Sequence, residues 1–435
     1  MTNFVEHLPI TIKGFCAKIS EFDHKKGCGR LNPASRLLTA QFFKYLGEAL
    51  LEIAWIVWVL HLSPHQPALS LGMLMALQSV PQAAFSGILS GYIDRMPRKF
   101  TLIAASLVEA LAIGFTAIFP VLWVTFLLLL VFQTCSVVSL PIERAVLPDL
   151  VSDRTALNKI MARLGQIYAI GQAIGLVSVG FLILLITVTH VFFIISVIYL
   201  IVALALSMTP IPTNNTAQRS SWWEQIKEGL MFHRQNVAVR YLLFIIGLAG
   251  LVLGGINTLL TLSTSTLWHH PSHDVNYIFL ALLLGVLASD TLLSHWLNES
   301  RYHLTILLSL LLIMLAAFAI GLITASWLFG IVMAFIMGVA NGFILTPSRA
   351  WLASVVASEM RGRVMAFRSQ VLGVVTAISP YLTAILVVHA GLTTTWIVVA
   401  CFLVALAFWW LLTKPISTAT LLTASNTPDS VKSSS

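Results

Sequence analysis

The chain has 435 residues, of which 58% are hydrophobic and only 10% are charged. A water-soluble domain carries about 25% charged residues, so this composition excludes a soluble globular protein and predicts a polytopic membrane protein within a lipid bilayer. The formal net charge of +8 would suggest a nucleic-acid partner for a soluble chain, but the positions of the charges here are those of a membrane protein, and no nucleic-acid partner is expected.

The first 36 residues form a polar segment that contains several lysines and arginines but no long apolar run. A secretory signal peptide needs such a run, so residues 1–36 are predicted to be a basic cytoplasmic tail. The chain has four cysteines, Cys16, Cys28, Cys135 and Cys401, and none is in CxxC spacing. The cysteines therefore indicate neither a disulfide framework nor a zinc site, and the sequence assigns no metal ligand and no cofactor.

Twelve apolar runs follow the tail in chain order, and each is long enough to cross a bilayer as a helix. Their approximate bounds are 37–60, 68–93, 100–119, 121–141, 156–185, 191–208, 241–267, 275–296, 304–324, 327–346, 364–388 and 393–412. They form two groups of six, 37–208 and 241–412, around the polar stretch 209–240. The predicted fold is therefore an all-α integral membrane protein with twelve transmembrane helices in two groups of six, followed by a cytoplasmic tail over 413–435.

The polar stretch 209–240 is predicted to be a cytoplasmic linker between the two bundles. Within it, apolar residues recur at helical spacing among charged ones: Trp222, Trp223, Ile226, Leu230 and Met231. This pattern is typical of an amphipathic helix that lies on the membrane surface.

Lysine and arginine are concentrated on one side of the predicted helices. If the amino terminus is inside, all 25 of these residues lie in the tails, in the inner turns or at the inner ends of the spans, and the outer turns contain none. The positive-inside rule therefore predicts that both termini are cytoplasmic, in a multi-pass protein of the inner (plasma) membrane.

The outer turns contain histidines instead, including three in the run HHPSHD at 269–274. Imidazole binds divalent metals and titrates near pH 6.5, so this run could bind a metal or sense acid pH. The simpler interpretation is that neutral polar residues remain where lysine and arginine are excluded. The histidines come from separate turns and show no fixed ligand spacing, which favours the simpler interpretation.

Four polar residues share one face of the first predicted helix, at spacings of three and four: Gln41, Lys44, Glu48 and Glu52. Glu48 lies about 16 Å along the helix from Leu37, and hence near the middle of the bilayer. Because burial favours the neutral form of a carboxyl group, Glu48 and Glu52 are candidates for carrying a coupling proton. In the alternative interpretation, Lys44 and Glu48 neutralise each other and Glu52 lies near the outer mouth.

Further polar residues lie within the apolar runs. Glu109 is a third candidate for proton coupling, although a structural hydrogen bond to a neighbouring helix would explain it equally well. Asp290 lies near the inner end of the eighth span, where it could reach Arg301 or solvent, and a structural role is expected. The neutral polar side chains that could line a central cavity or join helices are Gln41, Gln133, Gln166, Gln172, Asn257, Asn341 and Gln370.

The turn after the second span contains a compact charged motif, DRMPRK at 94–99. An acid beside a basic turn can form charged hydrogen bonds with neighbouring helix ends and so hold two bundles together on the inner side. The motif resembles the loop signature of the major facilitator superfamily. The residues that match this signature are Asp94, Arg95, Arg98 and Lys99. The sequence departs from the signature at Ser90 and Pro97, where the signature has glycines. The alternative is a generic cytoplasmic turn rich in basic residues, but such a turn would not require this order of charges.

The corresponding turn of the second half, residues 294–306, looks like a diverged copy of this motif, with Asn298 in the place of Asp94. Two six-helix halves with a corresponding turn indicate an internal repeat, as in this superfamily. The resemblance implies the major facilitator fold, with two pseudo-symmetric six-helix bundles around a central cavity that opens alternately to each side of the membrane.

Three further segments resemble the third drug:proton antiporter branch of the superfamily, which includes macrolide exporters and enterobactin-type siderophore exporters. They are ERAVLPDLVSDRTALNK at 143–159, EMRGRVM at 359–365 and the first span, with Gly47-Glu48 where that branch commonly has Gly-Asp. The resemblance assigns cytoplasmic-loop roles to Arg144, Asp149, Arg361 and Arg363. The fifth span lacks the Gly-Pro pair of many antiporters, but it has glycines that favour close helix packing: Gly165, Gly171, Gly175 and Gly180.

The resemblance implies a secondary active transporter, a monomer, that exports a small amphipathic compound, such as a drug-like molecule or a siderophore, in exchange for protons. Import or lipid translocation by the same fold, or a non-transporting receptor, are the alternatives. The sequence contains no HExxH, GxSxG or GxxxxGK[ST] motif, so the protein is not expected to be an enzyme or to use ATP.

Overall fold

The computed structural model describes residues 33–92, 97–150, 154–211, 237–296, 302–323, 326–356 and 358–425. Over these ranges the chain forms twelve long α-helices and one short 3-10 turn, without any β-strand. Each of the twelve helices contains a stretch long and apolar enough to cross a membrane. The prediction of a twelve-helix, all-α membrane protein is confirmed.

The helices of the first half are α1 (Pro33–Leu62), α2 (Pro67–Tyr92), α3 (Arg98–Ile118), α4 (Leu122–Leu150), α5 (Arg154–Leu185) and α6 (Val188–Ser207). Those of the second half are α7 (Val237–Thr266), α8 (Val275–Trp296), α9 (Tyr302–Leu322), α10 (Trp327–Val355), α11 (Ser358–Ala390) and α12 (Leu392–Ser425). The 3-10 turn, Ser272–Asp274, precedes α8. The apolar residues of the predicted amphipathic helix, residues 1–32 of the first predicted tail and residues 426–435 of the last lie outside the described residues, so the predicted domain boundaries stay predictions.

Several helices are longer than the apolar runs that predicted them. The fourth continues to Leu150 instead of ending near 141, and the tenth continues to Val355 instead of 346. The twelfth extends to Ser425, into the stretch predicted as a tail. An α-helix satisfies its backbone hydrogen bonds internally, so it does not have to end where the chain becomes polar. The described residues of the stretches between these predicted spans, 142–155 and 347–363, are therefore largely helical.

Within the first half, α1 packs against α5 and α6, and α3 packs against α4 and α6. Two of the glycines on α5 allow close approach to α1: a Cβ atom added at Gly175 would lie 2.6 Å from the Cβ of Ala49, and one at Gly171 would lie 3.1 Å from that of Tyr45. By contrast, a Cβ at Gly165 would meet nothing within 4 Å. The close packing expected from these glycines is therefore present at Gly171 and Gly175 but not at Gly165.

The two halves meet mainly through α2 against α11 and α5 against α8. We call the face with the start of α1 and the end of α12 the terminal face, and the opposite face, which contains the 3-10 turn Ser272–Asp274, the distal face. Near the distal face, the side-chain amide of Asn276 donates a hydrogen bond to the carbonyl oxygen of Leu176 at 3.0 Å. The 3-10 turn also contacts α1. The distal ends of the two halves are therefore in contact in this conformation.

Many large apolar side chains on the outer helix surfaces are exposed, for example Trp123 (71%), Leu185 (79%) and Leu328 (68%). Exposed apolar surface of this extent is unfavourable in water, whereas lipid tails solvate it. The exposed surface is therefore that of a multi-pass membrane protein.

Candidate functional site

The polar face of α1 divides into a buried part and a partly exposed part. Gln41 and Lys44 are only 3% and 2% exposed, whereas Glu48 and Glu52 are half-buried. Lys44 contacts α4, and Tyr45, one position further around the helix, contacts α5. Successive residues of an α-helix are rotated by about 100° around its axis. Glu48 and Glu52 therefore lie on the part of the helix surface between Lys44, which faces α4, and Tyr45, which faces α5. Both side chains are therefore half-buried near the middle of the helix.

Lys44 forms a buried ion pair with a residue of α4. Its Nζ atom lies 2.7 Å from Glu143 Oε1 and donates a second hydrogen bond to Ser139 Oγ, also at 2.7 Å. The alternative considered from the sequence, in which Lys44 and Glu48 neutralise each other, is therefore wrong about the partner of Lys44. Because Lys44 pairs with Glu143, the carboxyl group of Glu48 is left without that counter-charge in direct contact.

Sequence reasoning missed Glu143 because it placed the end of the fourth span near 141 and assigned the following residues to a loop. The apolar residues Ile142 and Val146, on either side of Glu143, are completely buried and continue the helix. That continuation was the signal in the sequence that Glu143 belongs to the interior of the bundle.

Glu109 on α3 is completely buried. Neither of its carboxylate oxygens has a hydrogen-bond partner among the described residues, so the structural hydrogen bond considered from the sequence is not found. Glu109 and Glu48 both interact electrostatically with Lys44, but among the described carboxyl groups only that of Glu143 forms an ion pair with it. A buried carboxylate without a hydrogen-bond partner is costly, which distinguishes Glu109 from the paired Glu143.

Three tyrosines surround this cluster. Tyr45 of α1 and Tyr168 of α5 contact each other edge to face, with their ring centroids 5.0 Å apart. Tyr199 of α6 is completely buried, and its hydroxyl has no hydrogen-bond partner within the described part of the chain. These aromatic rings form an apolar border beside the acidic face of α1. The sequence analysis did not identify the three tyrosines as part of the site.

The neutral polar candidates do not form one hydrogen-bonded group. Gln41 is buried, Gln166 is exposed, and the others are half-buried: Gln133, Gln172, Asn257, Asn341 and Gln370. They lie on six different helices, and no hydrogen bond joins any two of them within the described ranges. They remain individual candidates for lining a cavity.

The predicted gating turn and loop motifs lie partly outside the described residues. Asp94 and Arg95 are not among them, whereas Arg98 and Lys99 form the start of α3 and are half-buried. Four further residues lie within helices, but their side chains fall outside the description: Arg144 and Asp149 on α4, and Arg361 and Arg363 on α11. Asn298, in the corresponding turn of the second half, is also outside the described ranges.

The histidine run at the distal face forms local contacts. His270 Nδ1 lies 2.9 Å from Asp274 Oδ2, and the His270 ring stacks on Trp327 with centroids 4.5 Å apart. Among the described residues, no group of three or more His, Cys, Asp or Glu side chains is arranged to hold a metal ion. On the opposite side, Asp290 accepts a hydrogen bond from the Thr346 hydroxyl at 3.1 Å, and Arg301, the partner considered from the sequence, lies outside the described residues.

Comparison with known proteins places this architecture in one family. A family model described as Major Facilitator Superfamily matches residues 37–289 and 242–433, which together cover nearly the whole chain. No curated protein matches the chain in sequence.

Three solved structures illustrate the likeness in fold. The nucleoside transporter NupG is 13% identical, with a TM-score of 0.74 over 88% of this chain and 99% of that one. The human organic anion transporter MFSD10 is 14% identical, with a TM-score of 0.64 over 87% and 99% of the two chains. A bacterial homolog of the human lysosomal transporter Spinster, inward-facing and unoccupied, is 13% identical, with a TM-score of 0.65 over 91% and 99%. At these identities the likeness shows the fold alone.

Proposed function

Because the chain belongs to the Major Facilitator Superfamily, a family of membrane transporters, we propose that it exports a small amphipathic compound in exchange for protons. The compound would be a drug-like molecule or a siderophore, and the protein would act as a monomer by alternating access. The neighbours of known structure carry different solutes, nucleosides and organic anions by their names, so the fold leaves the substrate class open.

The observation that carries proton coupling is the arrangement of carboxyl groups around Lys44. Lys44 pairs directly with Glu143, while Glu48 and Glu52 are partly exposed at mid-helix. Ionisable groups inside a membrane are costly and are retained mainly where they carry out transport. A half-buried carboxyl group can exchange a proton with water when the central cavity opens to one side. We therefore assign the coupling proton to Glu48, with Glu52 one turn further along as an interacting group and Glu109 as the next candidate.

Alternating access would require the distal contacts to separate. In the present conformation Asn276 bonds to Leu176, and the 3-10 turn Ser272–Asp274 rests against α1. A rotation of one half against the other would break these contacts and open the distal face. The charged turn at 94–99, on the terminal face, would then latch the halves in the opposite state.

The distribution of lysine and arginine supports the proposed orientation. All 25 lie in the tails, in the turns of the terminal face or in the helices leading to them, and the turns of the distal face contain none. We propose that the terminal face is cytoplasmic and that the protein resides in the inner (plasma) membrane. The distal histidines would then face the outside.

Transport in proteoliposomes with an imposed pH gradient tests this function. A panel of amphipathic compounds should contain one that the protein concentrates only when the gradient is present. Glu48→Gln keeps the size of the side chain but cannot be ionised, so it should abolish uphill transport while downhill exchange survives. Glu52→Gln should shift the pH optimum instead. Asp290→Asn, which changes an exposed acid bonded to Thr346, is the matched control and should transport normally.

Two outcomes would contradict the proposal. If no compound in a broad panel moves in response to the gradient, proton-coupled export is wrong. If Glu48→Gln still concentrates its substrate at the normal rate, Glu48 is structural, and Glu109→Gln becomes the variant to test.

A further inference from the structure

A buried arginine lies between α10 and α11, near the terminal face. Arg368 of α11 is only 4% exposed, and its guanidinium group donates a long hydrogen bond, 3.4 Å, to the hydroxyl of Ser348 on α10. Its Nε atom is buried and has no hydrogen-bond partner among the described residues. Because a guanidinium group has five N–H donors, most of the hydrogen-bonding capacity of Arg368 is not used by the described part of the chain.

The charges around Arg368 do not compensate for its burial. Within the described ranges, the charged group that acts on it electrostatically is another arginine, Arg349, the exposed neighbour of Ser348 on α10. The described acid on this side, Asp290, is bonded to Thr346 and forms no ion pair with either arginine. A buried charge without a counter-charge is costly, so an anion from outside the chain would stabilise this site.

The corresponding position of the first half shows which group this site lacks. The sequences ERAVL at 143–147 of α4 and SRAWL at 348–352 of α10 are similar, and they align Glu143 with Ser348. In the first half, Glu143 forms an ion pair with the buried Lys44. In the second half, a hydroxyl group takes the place of that carboxylate beside a buried cation. The second half therefore has the buried cation without the acid.

The site lies at the edge of the apolar layer. The apolar stretches of α10 and α11 are Trp327–Leu352 and Phe367–Ala390. Ser348 is thus one turn before the end of the first stretch, and Arg368 is at the beginning of the second. The charged group of an amphipathic molecule occupies this level of a bilayer while its apolar part stays among the lipid tails. The exposed Arg349 marks the side from which such a group can approach.

We infer that Arg368, Arg349 and Ser348 form a binding site for the oxyanion group, a phosphate or a carboxylate, of an amphipathic molecule. The planar guanidinium fork of Arg368 matches two oxygen atoms of such a group, the Ser348 hydroxyl can donate a further hydrogen bond, and Arg349 adds a second positive charge. A lipid headgroup and an acidic compound dissolved in water both present this chemistry. In the second case the site would help to bind the transported compound, and only that statement rests on the proposed function.

Thermal unfolding of the purified protein in a neutral detergent tests binding without a transport assay. The first probe is inorganic phosphate, compared with chloride at the same ionic strength. Phosphate should stabilise the wild type in a saturable way, and Arg368→Gln should weaken its apparent affinity by at least about tenfold, because hydrogen bonds between charged groups are strong. The matched control is Arg163→Gln, since the same alignment of the two halves relates Arg163 to Arg368 and its side chain is exposed. Phosphate should stabilise this control like the wild type.

A second probe distinguishes the source of the anion. The protein is placed in phosphatidylcholine nanodiscs with and without phosphatidylglycerol, and its unfolding midpoint is compared with that of Arg368→Gln. Stabilisation of the wild type by phosphate identifies an anion that enters from water, whereas stabilisation by phosphatidylglycerol alone identifies a lipid headgroup. If neither probe distinguishes the wild type from Arg368→Gln, the inference is overturned.

Two variants at Ser348 test the position of the anion. Ser348→Asp supplies a carboxylate from within the chain, as Glu143 does in the first half, so it should abolish the effect of both probes. Ser348→Asn has nearly the same size without the charge and should retain binding. If Ser348→Asp binds the probes as well as Ser348→Asn does, the anion does not lie beside Arg368 and the assigned site is wrong. A wild type that shows no response to a pH gradient would refute the proposed function and leave these binding results unaffected.

Discussion

Glu143→Gln removes the anion that faces Lys44 inside the first half and leaves an ammonium group buried without its counter-charge. Lys44 Nζ lies 2.7 Å from Glu143 Oε1, and the two side chains are only 3% and 6% exposed. Removing one partner of a buried ion pair costs about 3–5 kcal/mol of unfolding free energy, because the remaining charge stays desolvated. Ser139 and the glutamine oxygen can still accept hydrogen bonds from Lys44, so we expect a loss near the lower limit, about 3 kcal/mol.

The double variant Lys44→Gln/Glu143→Gln removes both charges and places two amides in contact. Replacing a buried ion pair by a neutral pair is often close to neutral for stability, so we expect the double variant to unfold within about 1 kcal/mol of the wild type. The difference of about 2 kcal/mol between the single and double variants isolates the cost of the unpaired charge.

Denaturant unfolding in detergent micelles, followed by circular dichroism, measures these differences. Asp290→Asn, at an exposed position, serves as the control and should change the unfolding free energy by less than about 0.5 kcal/mol. A single variant as stable as the wild type would mean that Lys44 does not depend on Glu143. A double variant as unstable as the single one would mean that packing, and not the buried charge, causes the loss.

Three other changes test the packing of α1 against α5, the orientation of the chain in the membrane and the role of the charged turn at 94–99. Gly175→Ala should lower the unfolding free energy by about 1–3 kcal/mol, because its Cβ would lie 2.6 Å from that of Ala49, whereas Gly165→Ala, which meets nothing within 4 Å, should not be destabilising. Equal stability of the two variants would contradict the close packing of α1 against α5. A cysteine introduced at Ser272 should react with an impermeant reagent in intact cells and one at Ser220 should not, and labelling at Ser220 would reverse the proposed orientation. Asp94→Asn should reduce transport while leaving protein level and substrate binding intact, and loss of folding would make the turn a purely structural element.

The number and order of the membrane-spanning helices follow from the sequence because they depend on local properties. A run of about 20 apolar residues must form a helix in lipid, where every backbone group needs an internal partner. The same local geometry places Gln41, Lys44, Glu48 and Glu52 on one face of α1, since it depends only on the helical repeat. The helix ends were less predictable. Apolarity marks the edge of the hydrocarbon layer, while the helix itself continues through polar residues, as α4 and α10 do.

The partners of the residues on that face depend on how distant segments pack together. Lys44 and Glu143 are 99 positions apart, and they meet because α1 and α4 pack with Lys44 and Glu143 at the same depth. In sequence, Glu48 is the nearer acid, because it lies four residues after Lys44 on the same helix. In the folded chain, Lys44 instead contacts the carboxylate of Glu143 and the hydroxyl of Ser139 on α4. In the same way, the sequence gives no reason to treat Gly165 and Gly175 differently, since both are glycines of the fifth span. In the structure, of these two only Gly175 lies so close to α1 that a Cβ atom would not fit. Burial, pairing and close contact depend on tertiary packing, and a residue's position on its own helix does not determine which neighbour the fold brings to it.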